Sequence, residues 1–171
     1  MRTRSTFGAL ASAGALFLAL GTPSDVEAQQ LHLGGQASYG TESYSELGVG
    51  AFGTYLFAEN IAGAGSFNYH FPGDNISFWD FNANVHYRFD IDAGITPYAG
   101  GGLNYSNISV DVDVPGAGAF GASSSEVGLN VLGGAFTDLD NGIRIFGEGR
   151  FVISDADQLV LSVGLGIPLG E

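Results

Sequence analysis

The sequence predicts an all-β fold, a closed antiparallel up-and-down barrel of eight transmembrane strands, with no cofactor. Three observations carry this prediction. After residue 30, segments of about 9 to 12 residues alternate with period two and are separated by clusters of Gly, Asp, Asn, Ser and Pro. One face of every segment is free of charge, whereas the other is polar. The segment length matches the roughly 9–11 residues with which a tilted strand crosses a bilayer.

The first 28 residues predict an export signal rather than a part of the fold. Arg2 and Arg4 form a positive start, residues 7–20 are small or apolar, and residues 26–28 offer a cleavage site with small residues. An apolar run of about 14 residues is shorter than the roughly 20 that a spanning helix needs, which favours a signal peptide over an anchor. We therefore expect a signal peptide over residues 1–28 and an outer-membrane barrel domain over residues 29–171.

Composition excludes several classes of protein. The chain carries a formal net charge of −13 and no cysteine, which excludes a disulfide framework and a lipid anchor on cysteine. Residues 29–171 contain no lysine and only three arginines, so a nucleic-acid partner is excluded because binding to phosphates depends on basic side chains. Although the chain has 28 glycines, its 45% hydrophobic content favours a folded chain over a disordered one.

The first four strands are predicted from residues whose odd-numbered positions are apolar and whose even-numbered positions are polar or small. Leu31, Tyr55 and Phe67 are examples of the first kind, and His32 and Asn68 are examples of the second. Turn-forming residues separate the segments. The predicted bounds are 31–39, 47–57, 61–71 and 78–89.

The last four strands continue the same parity. Leu103, Val127 and Leu165 lie on the odd face, and Asn104 and Asn130 lie on the even face. All the histidines, and all the arginines after residue 28, fall on the even face of a strand. The predicted bounds are 95–106, 127–137, 143–153 and 159–169.

The charge-free odd face decides between two kinds of barrel. A soluble ligand-binding barrel would turn its apolar face inward and present the even face to water, where dense charge is expected. The even face instead holds few ionisable groups and much Gly, Ala and Ser, which suits a crowded lumen. Aromatic residues on the odd face lie towards the strand ends, as in the interfacial girdles of membrane barrels. The sequence therefore favours lipid contact for the odd face.

The connections predict the topology. Short turns near residues 58–60, 90–94 and 138–142 are typical of the periplasmic side, and the opposite set comprises residues 40–46, 72–77, 107–126 and 154–158. Only residues 107–126 form a long loop in this prediction. Both termini are then expected in the periplasm, with the barrel in the bacterial outer membrane.

Glycine- and aromatic-rich runs carry a resemblance to a known family. Residues 97–105 (PYAGGGLNY), 128–134 (GLNVLGG) and 146–151 (FGEGRF) resemble the small eight-stranded outer-membrane barrels typified by OmpX and the OmpA membrane domain. The resemblance covers essentially all of residues 29–171 and implies a non-enzymatic envelope protein. The chain departs from the family in its last residues, where many members end on an aromatic residue, and in its short loops, which argue against adhesion.

Three groups of residues are candidates for chemistry. The first is an interior ionisable network, which would satisfy charges that lipid does not tolerate or would line a narrow conduit. The second is His70 with Ser66, the best pair for nucleophilic catalysis, although His70 has lumen parity. The third is residues 138–142, which faintly resemble a calcium loop but fit a turn with Asn141-Gly142 at its tip better. The predicted network comprises Asp80, His86, Arg88, Arg144, Glu148 and Arg150.

The sequence thus predicts a structural or interaction protein of the outer membrane, with no catalytic residues, metal site or cofactor. It is expected to be a monomer that contacts outer-membrane lipids and meets an envelope or extracellular protein through residues 107–126. A narrow pore or small-molecule conduit is the alternative, followed by a soluble periplasmic ligand-binding barrel.

Overall fold

The structure is a computed structural model that describes residues 31–41, 46–72, 76–91, 93–114 and 118–169, with the backbone alone over the strand residues within 111–120. The predicted signal peptide at residues 1–28 and the last two residues lie outside the described residues. The predicted connections at 40–46 and 72–77 are described only at their edges. Within the described ranges no helix is long and apolar enough to cross a membrane.

Eight antiparallel strands close into a barrel in which each strand pairs with its sequence neighbours and β1 pairs with β8. This confirms the predicted fold class. The predicted bounds of β1–β4, β7 and β8 agree with the structure to within two residues. The strands are β1 (Leu31–Gly40), β2 (Glu46–Ala58), β3 (Ile61–His70), β4 (Ile76–Arg88), β5 (Thr96–Val114), β6 (Gly118–Asp138), β7 (Arg144–Ile153) and β8 (Gln158–Leu169).

The two faces of the barrel follow the predicted parity. Every large hydrophobic residue that is exposed on the barrel has an odd number, with Val127 and Leu47 the most exposed at 66%. Every buried residue except Gly63 has an even number, and this set includes the histidines and two of the strand arginines. Because side chains alternate across a strand, this places the apolar face outside and the polar face in the lumen, the arrangement of a membrane barrel rather than a soluble one.

Two ends of the barrel are distinguished by their connections. At the terminal end, where β1 begins and β8 ends, three short turns join the strands. Two of them contain glycines with positive φ, Gly94 at 71° and Gly142 at 79°. Asn141 Oδ1 accepts a hydrogen bond of 3.1 Å from the Ile143 N–H, and the Gly142 N–H donates to Leu139 O at 2.8 Å. Residues 138–142 therefore form the expected tight turn.

At the opposite end, called here the hairpin end, the prediction of a long loop at 107–126 is wrong. Residues 107–114 continue β5 and residues 118–126 continue β6, paired from Asn107↔Ser125 to Val114↔Gly118. On β5 the alternation continues with the apolar residues at even positions from Ile108 to Val114, whereas residues 118–125 of β6 do not alternate. Only residues 115–117, which lie outside the described residues, separate β5 from β6.

Candidate functional sites in the lumen and at the hairpin

Asp80 is the centre of a polar cluster in the hairpin half of the lumen. His70 Nε2 lies 2.6 Å from Asp80 Oδ2, and Asn68 Nδ2 donates to Asp80 Oδ1 at 2.9 Å. Asn82 Nδ2 donates to the same oxygen. Asn68 and Asp80 face each other across the β3–β4 ladder. His70 lies two residues along β3 towards the hairpin end, and Asn82 lies two residues along β4 towards the terminal end. Asp80 is only 4% exposed, so these donors replace the water that a buried carboxylate has lost.

A ladder of asparagine amides continues from this cluster across β4, β5 and β6. Asn104 and Asn130 donate to Asn82 Oδ1 at 2.9 and 3.0 Å. Asn130 also lies 2.8 Å from Asn84 Oδ1. All these side chains are buried. An amide group carries both donors and acceptors, which allows neighbouring strands of a narrow lumen to satisfy one another without charge.

Arg150 links the polar cluster to the terminal half. Its guanidinium lies 3.9 Å from Asp80 Oδ1 and 3.7 Å from Glu148 Oε1, and the side chain is only 2% exposed. Glu148 in turn accepts a hydrogen bond of 3.0 Å from the Tyr98 hydroxyl. His86 Nε2 is 3.9 Å from Glu148 Oε2, and its ring stacks on Tyr98 at 4.6 Å. One arginine therefore stands between two buried carboxylates.

An apolar cluster fills much of the terminal half of the lumen. It comprises Tyr98, Leu132 and Phe136, with Phe146 packed against them. Phe52 meets Phe146 edge to face at 4.8 Å. These large residues have even numbers, on the face that the sequence predicts to be polar and small.

Two arginines close the terminal end over this cluster. The guanidinium carbons of Arg144 and Arg88 lie 3.8 and 5.0 Å from the centre of the Phe136 ring. Arg144 also donates two hydrogen bonds of 2.7 Å to the Asp138 carboxylate. Such bidentate pairs hold an arginine in one geometry.

The predicted ionisable network is thus divided into two groups. Asp80, Arg150, Glu148 and His86 form a chain of close contacts, whereas Arg88 and Arg144 stack on Phe136 at the terminal end. The sequence pattern does not predict His70 as a partner of Asp80 or Asp138 as a partner of Arg144. Each partner lies across a strand ladder or a turn. The sequence shows which face of a strand each side chain lies on, but it does not show the strand register that brings the two side chains together.

The candidate catalytic pair is not assembled. His70 Nε2 is engaged by Asp80, and Ser66 Oγ lies 3.3 Å from Asn82 Nδ2. His70 is only 1% exposed, so the reacting group of a substrate would have to enter the lumen to reach it. A base must lie within hydrogen-bond reach of its nucleophile, and these two side chains bind different partners.

The described residues enclose cavities in both halves of the lumen. One in the terminal half has a volume of about 50 Å³ and lies among Phe52, Tyr98, Phe136, Phe146 and the network residues. A second at the hairpin end has a volume of about 260 Å³ and is lined by residues of β2, β4, β5, β6, β7 and β8 together with the β7–β8 turn. The lumen is therefore packed in its terminal half and open at the hairpin end.

In the part of the chain that the structure describes, β6 has no neighbouring strand on its β7 side along the hairpin. β6 pairs with β7 only from Leu129↔Ile153 onward, whereas β6 continues to Gly118. Glu126 Oε1 accepts hydrogen bonds from the backbone N–H groups of Asp155 and Ala156 at 2.6 and 3.3 Å, so the β7–β8 turn covers the base of this edge. Among the described strands, residues 118–125 pair with β5 alone. They are Gly, Ala, Phe and Ser, with no charge and no proline.

Comparisons with solved structures identify the fold. The chain is similar to Neisserial surface protein A (16% identity, TM-score 0.62, 82% of this chain and 96% of that chain). It is also similar to the N-terminal barrel domain of Pseudomonas aeruginosa OprF (14% identity, TM-score 0.64, 83% and 100%) and to Ail, the attachment invasion locus protein of Yersinia pestis (16% identity, TM-score 0.60, 82% and 97%). No protein-family profile matches the sequence, and a search of curated proteins finds no relative. At this identity the likeness shows the fold, that of small eight-stranded outer-membrane barrels.

Proposed function

We propose that this chain is a non-enzymatic, monomeric protein of the bacterial outer membrane that presents the β5–β6 hairpin outside the cell to a protein partner. Residues 1–28 serve as its signal peptide, and both ends of residues 29–171 lie in the periplasm. The odd face, exposed and apolar around the whole barrel, supports membrane insertion. Short turns at the terminal end support a periplasmic position for that end.

The unpaired β6 edge is the observation that carries the interaction role. Along residues 118–125, every second residue directs its backbone N–H and C=O groups away from β5, and no neighbouring strand among the described residues pairs with those groups. Proteins normally protect such edges with lysine, proline or a bulge, and this edge has neither of those residues. An extended segment of a partner would add to it as a further strand, with backbone hydrogen bonds supplying affinity.

Single-cysteine labelling tests the orientation, and the natural chain contains no cysteine to interfere. We expect Ser123→Cys, in the hairpin, to react with a membrane-impermeant maleimide on intact cells. Asn141→Cys, in an exposed turn at the terminal end, should react only after lysis. The reverse pattern would place the hairpin in the periplasm and reject the proposed presentation.

Photo-crosslinking tests the edge itself. A photoreactive residue at Ser125 should give an adduct of defined mass with another envelope or extracellular protein, and one at Asp155, exposed on the β7–β8 turn, should not. Ser123→Pro should abolish the adduct, because proline removes a backbone donor from the edge. Equal adducts at both positions, or none at either, would reject the edge as the interaction surface.

A further inference from the structure

The cavity at the hairpin end contains a carboxylate without a partner. Glu46 lines this cavity and is only 2% exposed. Among the described residues, no hydrogen-bond donor reaches Oε1 or Oε2 of this carboxylate. A buried ionised carboxylate with no partner is unfavourable by several kcal/mol, so the site is built for a group that supplies positive charge or hydrogen-bond donors.

The other charges of the cavity do not supply that group. Arg150 is the cationic residue of the lining, and it stands between Asp80 and Glu148. Glu126 and Asp157 also line the cavity, and both accept hydrogen bonds from backbone N–H groups of the β7–β8 turn. These contacts leave the cavity with an excess of negative charge, which attracts cations.

The shape and lining of the cavity favour an organic cation over a metal ion. Among the described residues no group of three or more His, Asp or Glu side chains is placed to hold a metal. The cavity has a volume of about 260 Å³, enough for a molecule of several heavy atoms, and part of its wall is apolar. That apolar part is formed by Phe78, Ile108, Val152 and Val160.

We propose that the cavity at the hairpin end binds a small organic cation that carries a primary ammonium group, with Glu46 as its carboxylate partner. The ammonium donates hydrogen bonds to Glu46, and its hydrocarbon portion packs against Phe78 and Val160. This site lies inside the mouth of the barrel and shares Ser124 of its lining with the β6 edge. Its carboxylate, Glu46, belongs to β2 and not to that edge, so either proposal stands if the other fails.

Titration of the full-length protein, exported, purified from membranes and held in detergent micelles, tests the site. The probe is phenethylammonium chloride, followed through the backbone amide signals of residues near the cavity by NMR. We expect saturable shifts with the natural chain and an affinity at least tenfold weaker in Glu46→Gln, which keeps the shape of the side chain and removes its charge. Asp90→Asn removes one carboxylate at the terminal end and should leave the affinity unchanged.

The comparison ligands separate charge from shape and from metal binding. Phenylpropionate has a similar shape and the opposite charge, and it should give no saturable shifts. Calcium chloride alone should give none either. Equal affinity for the ammonium and the carboxylate, saturation by calcium alone, or unchanged affinity in Glu46→Gln would each overturn the proposal.

A second variant keeps the test decisive if Glu46→Gln fails to assemble. Val160→Phe leaves the carboxylate in place and fills part of the cavity, because Val160 is buried in its wall. We expect it to weaken phenethylammonium binding at least tenfold. Undiminished binding in a folded Val160→Phe protein would show that the ammonium does not occupy this cavity.

Discussion

Asn82 makes four side-chain hydrogen bonds in the lumen. Its Nδ2 donates to Asp80 and Ser66, and its Oδ1 accepts from Asn104 and Asn130. A leucine of similar volume would remove one hydrogen bond from each of those four partners in the buried lumen. The amide is therefore favoured over an apolar residue at this position, because buried polar groups need partners.

Arg150 offers the clearest test at the scale of single residues. Arg150→Met keeps much of the side-chain volume but leaves Asp80 and Glu148 without their shared cation. We expect the free energy of unfolding to fall by about 3–5 kcal/mol, the usual effect of removing one partner of a buried ion pair. Urea titration of the barrel in lipid vesicles, followed by tryptophan fluorescence, measures this change.

Two controls belong with Arg150→Met. Arg88→Met also removes a cation, but Arg88 is half-buried and stacks on Phe136 at 5.0 Å, so the loss should be about 1 kcal/mol or less. Adding Glu148→Gln to Arg150→Met should restore part of the stability, because one isolated carboxylate is removed. Equal losses for Arg150→Met and Arg88→Met would contradict a special role for Arg150.

The sequence predicts which side chains point into the lumen but not which of them touch. Parity alone assigns Asp80, His86 and Arg150 to the interior, because period two is a local property of a strand. The contact of Arg150 with Asp80 joins β7 to β4 across the lumen, and such a contact depends on the register of every ladder between them. The interior position of the Phe136 and Phe146 rings is not predicted for a different reason. In this pattern a hydrophobic side chain indicates the outer face.

At the scale of elements, β6 passes through two environments. Between Leu129 and Phe136 it lies between β5 and β7, and its two faces meet lipid and lumen. From residue 121 to 125 every residue is exposed. An alternating hydrophobic pattern arises only where one face is apolar, so this part of the strand carries no such signal. That is why the sequence predicts a loop at residues where the structure has a hairpin.

Gly102 shows how closely the strands of this barrel approach inside the lumen. A Cβ atom at Gly102 would collide with Ala83 O and Asn84 Oδ1 on β4. We expect Gly102→Ala to lower the free energy of unfolding by about 1–3 kcal/mol, since the lumen has to open to accept the methyl group. The same urea titration measures the loss.

Gly147 is a matched control for Gly102, because it also lies within a strand but on the odd, outward face. A Cβ atom there would meet nothing within 4 Å. Gly147→Ala should therefore change the stability by no more than about 0.5 kcal/mol. Losses of similar size at both positions would show that backbone flexibility, rather than crowding in the lumen, explains the glycines.

At the scale of the whole molecule, the filled lumen distinguishes a plugged barrel from a conduit. The terminal half is packed with aromatic rings, and its cavity of about 50 Å³ is too small for a hydrated ion to pass through. We expect no ohmic single-channel steps from the natural chain in planar bilayers, whereas a Phe136→Ala/Phe146→Ala variant, with both rings removed, should show them. Steps in the natural chain that disappear when Arg144 or Arg150 is replaced would support the pore instead.

The pairing of β1 with β8 also determines when the barrel can close during synthesis. Leu31 is matched with Leu169, so the first strand to leave the ribosome completes its ladder only with the last. Until then both edges of the growing sheet and its whole apolar face stay open to wrong partners. The unfolded chain must therefore be kept from wrong pairing while it passes through the aqueous compartment. Its assembly requires chaperones that bind extended segments.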